Sequence, residues 1–198
     1  MLNQRIARLG RLALLVGLVL HVHAAVCQLL PVAVRLDSLN KKRACVLETA
    51  SSQAHVKEKS NRNDHPQIDV YFKAIGWAHP ERVAAAAKPW CGAFVGWVLK
   101  TCGVPTPKGA NLAAVASFDA MKKKRLPPGS HAIPGDVVTY KTWSHVEFVV
   151  SWPLDPRVRV FYAVGGNTTA GNSVHGVYVN IPRPKHYIRN IVRFIPES

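Results

Sequence analysis

Residues 89–102 read PWCGAFVGWVLKTC, and the apolar residues in this stretch recur with the period of an α-helix. Counted from Cys91, they fall at three, four, seven, eight and eleven residues: Phe94, Val95, Val98, Leu99 and Cys102. This spacing places them on one face of a helix whose first turn contains Cys91. Gly103 and Pro105 follow where such a helix is expected to end. The stretch therefore predicts a core helix that begins near Cys91.

Further along the chain the apolar period changes from that of a helix to two. Residues 145–152 read HVEFVVSW, so that Val146 and Phe148 share one strand face while His145 and Glu147 share the other. Four more strand-like runs cover 136–140, 158–164, 174–181 and 188–194. Two shorter helical patterns, 68–75 and 81–88, precede Cys91. Helices followed by strands predict an α+β fold, with N-terminal helices packed on an antiparallel sheet of about five strands.

The composition is strongly basic. The 198 residues include 26 Lys and Arg against 11 Asp and Glu, which gives a formal charge of +15. Such a charge favours polyanionic partners, and anionic cell-wall polymers, lipopolysaccharide, acidic lipid surfaces and nucleic acid all meet that description. We expect no nucleic-acid partner, because the chain has no recognised nucleic-acid motif and its basic residues are not interleaved with aromatic ones. The sequence does not predict an oligomeric state.

The N-terminus has the pattern of an export signal. Arg5, Arg8 and Arg11 precede the apolar run 12–20, and Ala24 offers a small residue for cleavage. We therefore expect residues 1–24 to be a signal peptide, or alternatively an uncleaved anchor, and the protein to be secreted or periplasmic. Residues 25–65 are polar and predict a linker or a loosely attached leading helix. One domain is expected over 66–198, since the chain is long enough for a single sizeable core.

Cys91 is the first candidate for chemistry. At the start of a helix, unpaired backbone N–H groups and the helix dipole favour a thiolate, although a cysteine on an apolar stripe is also often a simple core residue. The chain has no Cys-x-x-Cys pair, and we expect neither a metal nor a cofactor. If Cys91 is a thiolate, Cys27, Cys45 and Cys102 form an odd set whose pairing the sequence leaves open.

A thiol nucleophile needs a base and a group that orients the base. His145 begins a strand on the face opposite Val146 and Phe148, where an imidazole could reach a packed helix. Asn167 follows Gly165-Gly166 after the next strand and could accept a hydrogen bond from that imidazole, although a Gly-Asn turn explains it equally well. Among the other histidines, His131 and His175 are alternative bases.

Four motifs taken together resemble the CHAP and NlpC/P60 peptidoglycan hydrolases. They are PWCGAFVGW at 89–97, PGDVV at 134–138, SHVEFVV at 144–150 and GGN at 165–167. The resemblance covers residues 66–198 and implies a papain-like catalytic domain with Cys91 as nucleophile, His145 as base and Asn167 as the orienting residue. It also implies that the partner is peptidoglycan, together with anionic wall or lipid surfaces, and that the activity needs no cofactor.

Two features bear on the substrate. Glu147 stands where the hydrolases commonly have glycine, so its carboxylate could raise the pKa of His145 or contact the substrate. Trp90 could line the cleft, although core packing is the commoner role of a tryptophan. The resemblance does not distinguish an endopeptidase from an N-acetylmuramoyl-L-alanine amidase, or wall remodelling from an antibacterial toxin or lysin. The alternative function is a non-catalytic, cationic protein that binds cell walls or membrane surfaces.

Overall fold

The computed structural model describes residues 34–171 and 173–197, so the predicted signal peptide and Cys27 lie outside the described residues. No helix within these two ranges is both long and apolar enough to cross a membrane. The chain divides into two compact units. One unit comprises Met1–Asn40 and Glu197–Ser198, and its residues 34–40 are helical. The other, Lys41–Pro196, contains the sheet and all of the side chains discussed below.

The helices are short and are concentrated in the first part of the chain. Helix α1 covers 34–52, α2 Gln67–Ala74, α3 Cys91–Thr101 and α4 Val115–Asp119. The predictions for α2 and α3 are confirmed. The predicted helix over 81–88 is wrong, because this segment forms two 3₁₀ turns, Pro80–Arg82 and Ala85–Ala87. Val83 and Ala84 between the turns are extended, with ψ of 133° at both residues, which interrupts any helix.

The five strands form one antiparallel sheet, as the sequence predicted. They are β1 Val137–Tyr140, β2 Val146–Ser151, β3 Val160–Thr168, β4 Gly176–Pro184 and β5 Ile188–Val192. Their spatial order is β4-β3-β2-β1-β5, and every neighbouring pair is antiparallel. The central strand β2 and its neighbour β3 place residues of the candidate site in the middle of the sheet. The structure is therefore α+β.

Both faces of the sheet are covered, whereas alternation in the sequence suggested one polar face on β2. Val146, Glu147 and Phe148 are all fully buried. On the face that contains Glu147, cross-strand pairing brings in Val138, which belongs to an apolar cluster with Tyr140, Val149 and other residues. Because the polar residues of β2 lie in this interior, they need partners within the protein.

Residues 41–65 belong to the same compact unit as the sheet, and of the two predicted interpretations, a linker or a leading helix, residues 41–52 form a helix. Val46 and Ala50, one turn apart on α1, are fully buried. Cys45 forms a disulfide with Cys102, the residue that caps the C-terminal end of α3, and Cys91 is the free cysteine of the described residues. The disulfide and the apolar stripe of α1 attach the leading segment to the helix that carries Cys91.

Loss of this disulfide is expected to destabilise the protein. The bond closes a loop with a sequence separation of 57 residues. Replacing both cysteines, Cys45→Ala with Cys102→Ala, should lower the free energy of unfolding by about 2 to 4 kcal/mol, because the unfolded chain regains the entropy of the open loop. Urea denaturation with and without dithiothreitol measures the effect. Dithiothreitol should destabilise the wild type but not the double variant. Equal stability of the wild type and the double variant without dithiothreitol would contradict the prediction.

Candidate active site

Cys91 is the first residue of α3 and is only 3% exposed. The amide N–H groups of the first helical turn lack partners within the helix. These groups and the positive end of the helix dipole therefore lie at the end of α3 that carries the Cys91 thiol. Gly92, the next residue, is packed against the carbonyl groups of residues 112 and 113. A Cβ at this position would lie 2.5 Å from the Leu112 oxygen, which a side chain cannot do. The glycine therefore lets the chain at 112–113 pass close to Cys91.

His145 immediately precedes β2 and is 5% exposed. Cys91 lies close enough to the imidazole to interact with it, since the Cys91 side chain is among the groups that raise the pKa of His145. The ring also stacks on Tyr140, with ring centroids 6.0 Å apart. The imidazole is thus held between the start of α3 and the interior of the sheet.

The second nitrogen of His145 contacts Glu147. The distance from His145 Nε2 to Glu147 Oε1 is 3.0 Å, and the Glu147 side chain is fully buried. Arg183 on β4 donates from Nε to Oε2 at 2.9 Å and from its terminal nitrogen to Oε1 at 2.6 Å, while the Tyr140 hydroxyl also donates to Oε2. Both carboxylate oxygens therefore have cationic or hydroxyl partners, which is the arrangement that a buried carboxylate requires.

Gly165 on β3 makes room for this carboxylate. A Cβ at residue 165 would lie 2.5 Å from Glu147 Cγ and 2.7 Å from Oε1. Any larger residue would push the carboxylate away from His145. The sequence contained two signals for this contact, the position of Glu147 two residues after His145 on one strand face and the small residue on the neighbouring strand. Arg183 gave no signal of its own, because its approach depends on the β3–β4 pairing.

Charge pairing outweighs burial in this interior. Burial alone would lower the pKa of His145, but the Glu147 charge, the interaction with Cys91 and the hydrogen bond that His145 donates to Glu147 raise it. Burial alone would raise the pKa of Glu147, but His145 and Arg183 lower it. The pair is therefore an imidazolium and a carboxylate over a wide pH range. A protonated imidazole beside a thiol can donate a proton to a leaving amine.

The ion pair should make stability depend on pH on both sides of neutrality. Glu147, with its pKa lowered from 4.5, stabilises the fold above that value, and this stability is lost as the pH falls through the folded pKa. His145, with its pKa raised from 6.5, stabilises the fold below that value, and this stability is lost as the pH rises through the folded pKa. The pair therefore contributes most between these two ordinary pKa values.

Urea denaturation of the wild type and Glu147→Gln across the pH range tests this expectation. The variant should be less stable by about 3 kcal/mol between the two ordinary values, because Arg183 and His145 then lack their buried counter-charge. The difference should shrink at both extremes of pH. The matched control is Glu48→Gln, which changes an exposed carboxylate of α1. A stability difference that does not vary with pH would contradict the assignment.

Asn167 does not lie where the sequence analysis placed its side chain. Its amide oxygen is 3.3 Å from His175 Nδ1, and the hydrogen bond expected between Asn167 and His145 is made by Glu147 instead. Asn167 has a φ of +56°, the left-handed conformation that asparagine tolerates better than most residues. This backbone turns its side chain toward His175. Of the three predicted catalytic residues, Cys91 and His145 therefore interact with each other, whereas the Asn167 side chain contacts His175.

Trp90 is fully buried, so the structure does not present it to a substrate in solution. Its indole N–H donates to Glu58 Oε1 at 2.8 Å, and its ring stacks on Tyr71. Glu147 is equally inaccessible, so neither of the two residues predicted to bind substrate reaches solvent in this conformation. Glu58, itself only 3% exposed, comes from the segment that sequence analysis read as polar and loose. The buried hydrogen bond to Trp90 explains why this segment packs next to Cys91.

No family model matches the sequence, and neither a curated protein nor a solved structure matches it. The resemblance to peptidoglycan hydrolases therefore rests on motifs within the chain. Within residues 34–171 and 173–197, no group of three or more His, Cys, Asp or Glu is placed to hold a metal ion. The chemistry available at this site is that of a thiol, an imidazole and a buried carboxylate.

Proposed function

We propose that the protein is an exported cysteine hydrolase of the papain-like, NlpC/P60 type that cleaves an amide bond in the peptide part of bacterial peptidoglycan. The observation that carries this proposal is the hydrogen bond between His145 and Glu147, 3.0 Å long, together with the electrostatic interaction of the same imidazole with Cys91. Nucleophile, base and positioning residue stand in the order that a thiol hydrolase needs, with the nucleophile at a helix N-terminus.

The reaction proceeds in two covalent steps. Cys91 attacks the amide carbon as a thiolate paired with the His145 imidazolium, and the oxyanion that forms is stabilised by backbone N–H groups at the start of α3. His145 then gives its proton to the amine as the carbon–nitrogen bond breaks, which leaves a thioester on Cys91. His145 next accepts a proton from water, which attacks the thioester and releases the carboxylic acid and the Cys91 thiolate, so that the imidazolium is restored. Through both steps Glu147 holds the imidazole in place.

Two further observations support the cell envelope as the location. The Cys45–Cys102 disulfide is typical of oxidising compartments, which agrees with the export signal predicted at 1–24. The formal charge of +15 favours association with an anionic surface such as the wall. The four sequence motifs shared with peptidoglycan hydrolases support the choice of substrate.

One observation favours the alternative, a non-catalytic protein that binds cell walls or membrane surfaces. Cys91 is 3% exposed and His145 5% exposed, so a substrate carbonyl has little access to the sulfur in this conformation. Catalysis requires that the residues covering Cys91 move when substrate binds. A binding protein of the same fold would need no such movement.

Digestion of purified peptidoglycan separates the two functions. The protein is incubated with the wall polymer, and mass spectrometry identifies the fragments relative to a protein-free control. New amino groups within stem or cross-bridge peptides would show an endopeptidase, and free lactyl groups on the glycan would show an N-acetylmuramoyl-L-alanine amidase. Binding to the polymer without release of any fragment would contradict the hydrolase and favour the alternative.

A further inference from the structure

Two adjoining clefts lie among the loops of the sheet, outside the Cys91 site. The first has a volume of about 610 Å³ and the second about 950 Å³. They share His131, Trp152 and Lys185, so that together they form one continuous groove. We call it the basic groove. None of its residues belongs to the candidate active site.

The groove is lined by positive charge. Its remaining basic residues are, in the first cleft, Arg125, Lys141 and Arg189 and, in the second, Arg159 and His186. Within the described part of the chain, no Asp or Glu side chain lines either cleft. A concave surface with one sign of charge concentrates ions of the opposite sign.

Part of this charge has no carboxylate partner among the described residues, although Lys185 also interacts electrostatically with Asp155. Arg189 pairs with Asp119 at 2.8 Å, but Lys185 Nζ is held by two carbonyl oxygens, those of Pro153 at 2.6 Å and Val158 at 2.9 Å. Arg125 and Arg159 are exposed, and neither has an ion pair among residues 34–171 and 173–197. The groove therefore presents cations at both ends and a fixed ammonium between them.

Trp152 adds an apolar surface at the point where the clefts meet. Lys185 Nζ lies 5.1 Å from the centre of its ring, and the ring packs on Phe161. A ligand that spans the groove would therefore meet a cation, an aromatic face with a second cation, and a third cation. That order suits a chain of anionic groups joined by short uncharged links, since guanidinium groups bind phosphate oxygens in pairs and the links can lie on the ring.

We propose that the basic groove binds a phosphodiester polymer of the cell surface, one whose phosphates are joined by small alcohols rather than nucleosides. Two connected clefts offer room for several phosphates rather than one. This inference does not depend on hydrolysis at Cys91, because it concerns different residues. It assigns a location to the polyanion binding that the net charge suggests.

The chain carries a second basic surface that serves as a matched control. Lys108 and Lys122–Lys124 line a separate cleft of about 760 Å³, in which no aromatic residue is present. Lys122 and Lys123 are exposed, like Arg125 and Arg159. Removing two charges from either place changes the net charge equally, so any difference in binding must come from the groove.

The test compares two double variants. The arginine variant combines Arg125→Gln and Arg159→Gln, and the lysine variant combines Lys122→Gln and Lys123→Gln. A soluble glycerol-phosphate oligomer is titrated into each full-length protein at several salt concentrations. The arginine variant should bind about tenfold more weakly than the wild type. Its affinity should also depend less steeply on salt, because the loss of two phosphate contacts means that binding releases fewer counterions. The lysine variant should bind nearly as well as the wild type. Peptidoglycan cleavage should be unchanged in both.

Three outcomes would overturn the proposal. Equal weakening in both double variants would show that only net charge matters. Binding to phosphatidylglycerol vesicles without binding to the oligomer would indicate a membrane, which carries the same chemical group. Tighter binding of a single-stranded oligonucleotide with the same number of phosphates would indicate nucleic acid. If the wild-type protein does not cleave peptidoglycan, the binding result still stands. The hydrolase proposal and the groove proposal can therefore be contradicted independently.

Discussion

Cys91→Ala is expected to reduce the rate of amide cleavage in peptidoglycan by about 10⁴-fold or more, because the covalent route through a thioester is then closed. The rate is measured as the appearance of new amino groups with soluble wall fragments as substrate. Since Cys91 is the free cysteine of the described residues, the loss should be accompanied by the loss of any thioester captured by rapid quenching and mass spectrometry.

Two checks separate chemistry from packing in this variant. Cys91 is nearly buried, so removal of its sulfur could loosen the start of α3. Cys91→Ser keeps the shape of the side chain and should be as inactive as Cys91→Ala, with a melting temperature close to that of the wild type. A correctly folded Cys91→Ser protein that retains most of the activity would rule out Cys91 as nucleophile.

Glu147→Gln is expected to have the second-largest effect, a fall of about 10² to 10⁴ in kcat/KM. Because Glu147 accepts from His145 Nε2, the other nitrogen, Nδ1, is left to exchange a proton with Cys91 and the substrate. An amide in place of the carboxylate removes the charge that stabilises the imidazolium and can present its N–H to Nε2, which favours the wrong tautomer. Glu147 thus acts as a positioning residue.

A pH profile distinguishes this role from a purely structural one. The charge of Glu147 raises the pKa of His145, so the basic limb of kcat/KM against pH should move to lower pH in Glu147→Gln. A variant that is merely less stable would lose activity without that displacement. Glu147→Asp, which keeps the charge but shortens the side chain, should recover part of the activity.

Asn167→Gly is the matched comparison for Glu147→Gln. Glycine accepts the positive φ of residue 167, so the substitution removes the amide without straining the backbone. Because Asn167 contacts His175 rather than His145, its loss should reduce kcat/KM much less than the loss of the Glu147 charge. A larger effect at Asn167 than at Glu147 would return the orienting role to Asn167, as the sequence motif alone suggested.

Local periodicity in the sequence was enough to predict the helix and the strand that carry Cys91 and His145. The helical stripe that starts at Cys91 and the alternation that starts at His145 each depend on neighbouring residues, so α3, β2 and the antiparallel α+β arrangement could be predicted. The same reasoning failed over 81–88, where extended residues at 83 and 84 divide a short apolar segment into two turns. The composition likewise predicted a partner with negative charge without showing where it binds.

Contacts between distant residues were decided only by the tertiary structure. Arg183 reaches Glu147 from 36 residues away, Glu58 reaches Trp90 from 32, and Cys45 reaches Cys102 from 57. Such pairs depend on strand register and on how the leading segment packs, which no local pattern encodes. For the same reason the sequence indicated that Glu147 could approach His145 but not that its carboxylate would take the place expected for Asn167. That place is fixed by the hydrogen bonds that a buried carboxylate must find within the fold.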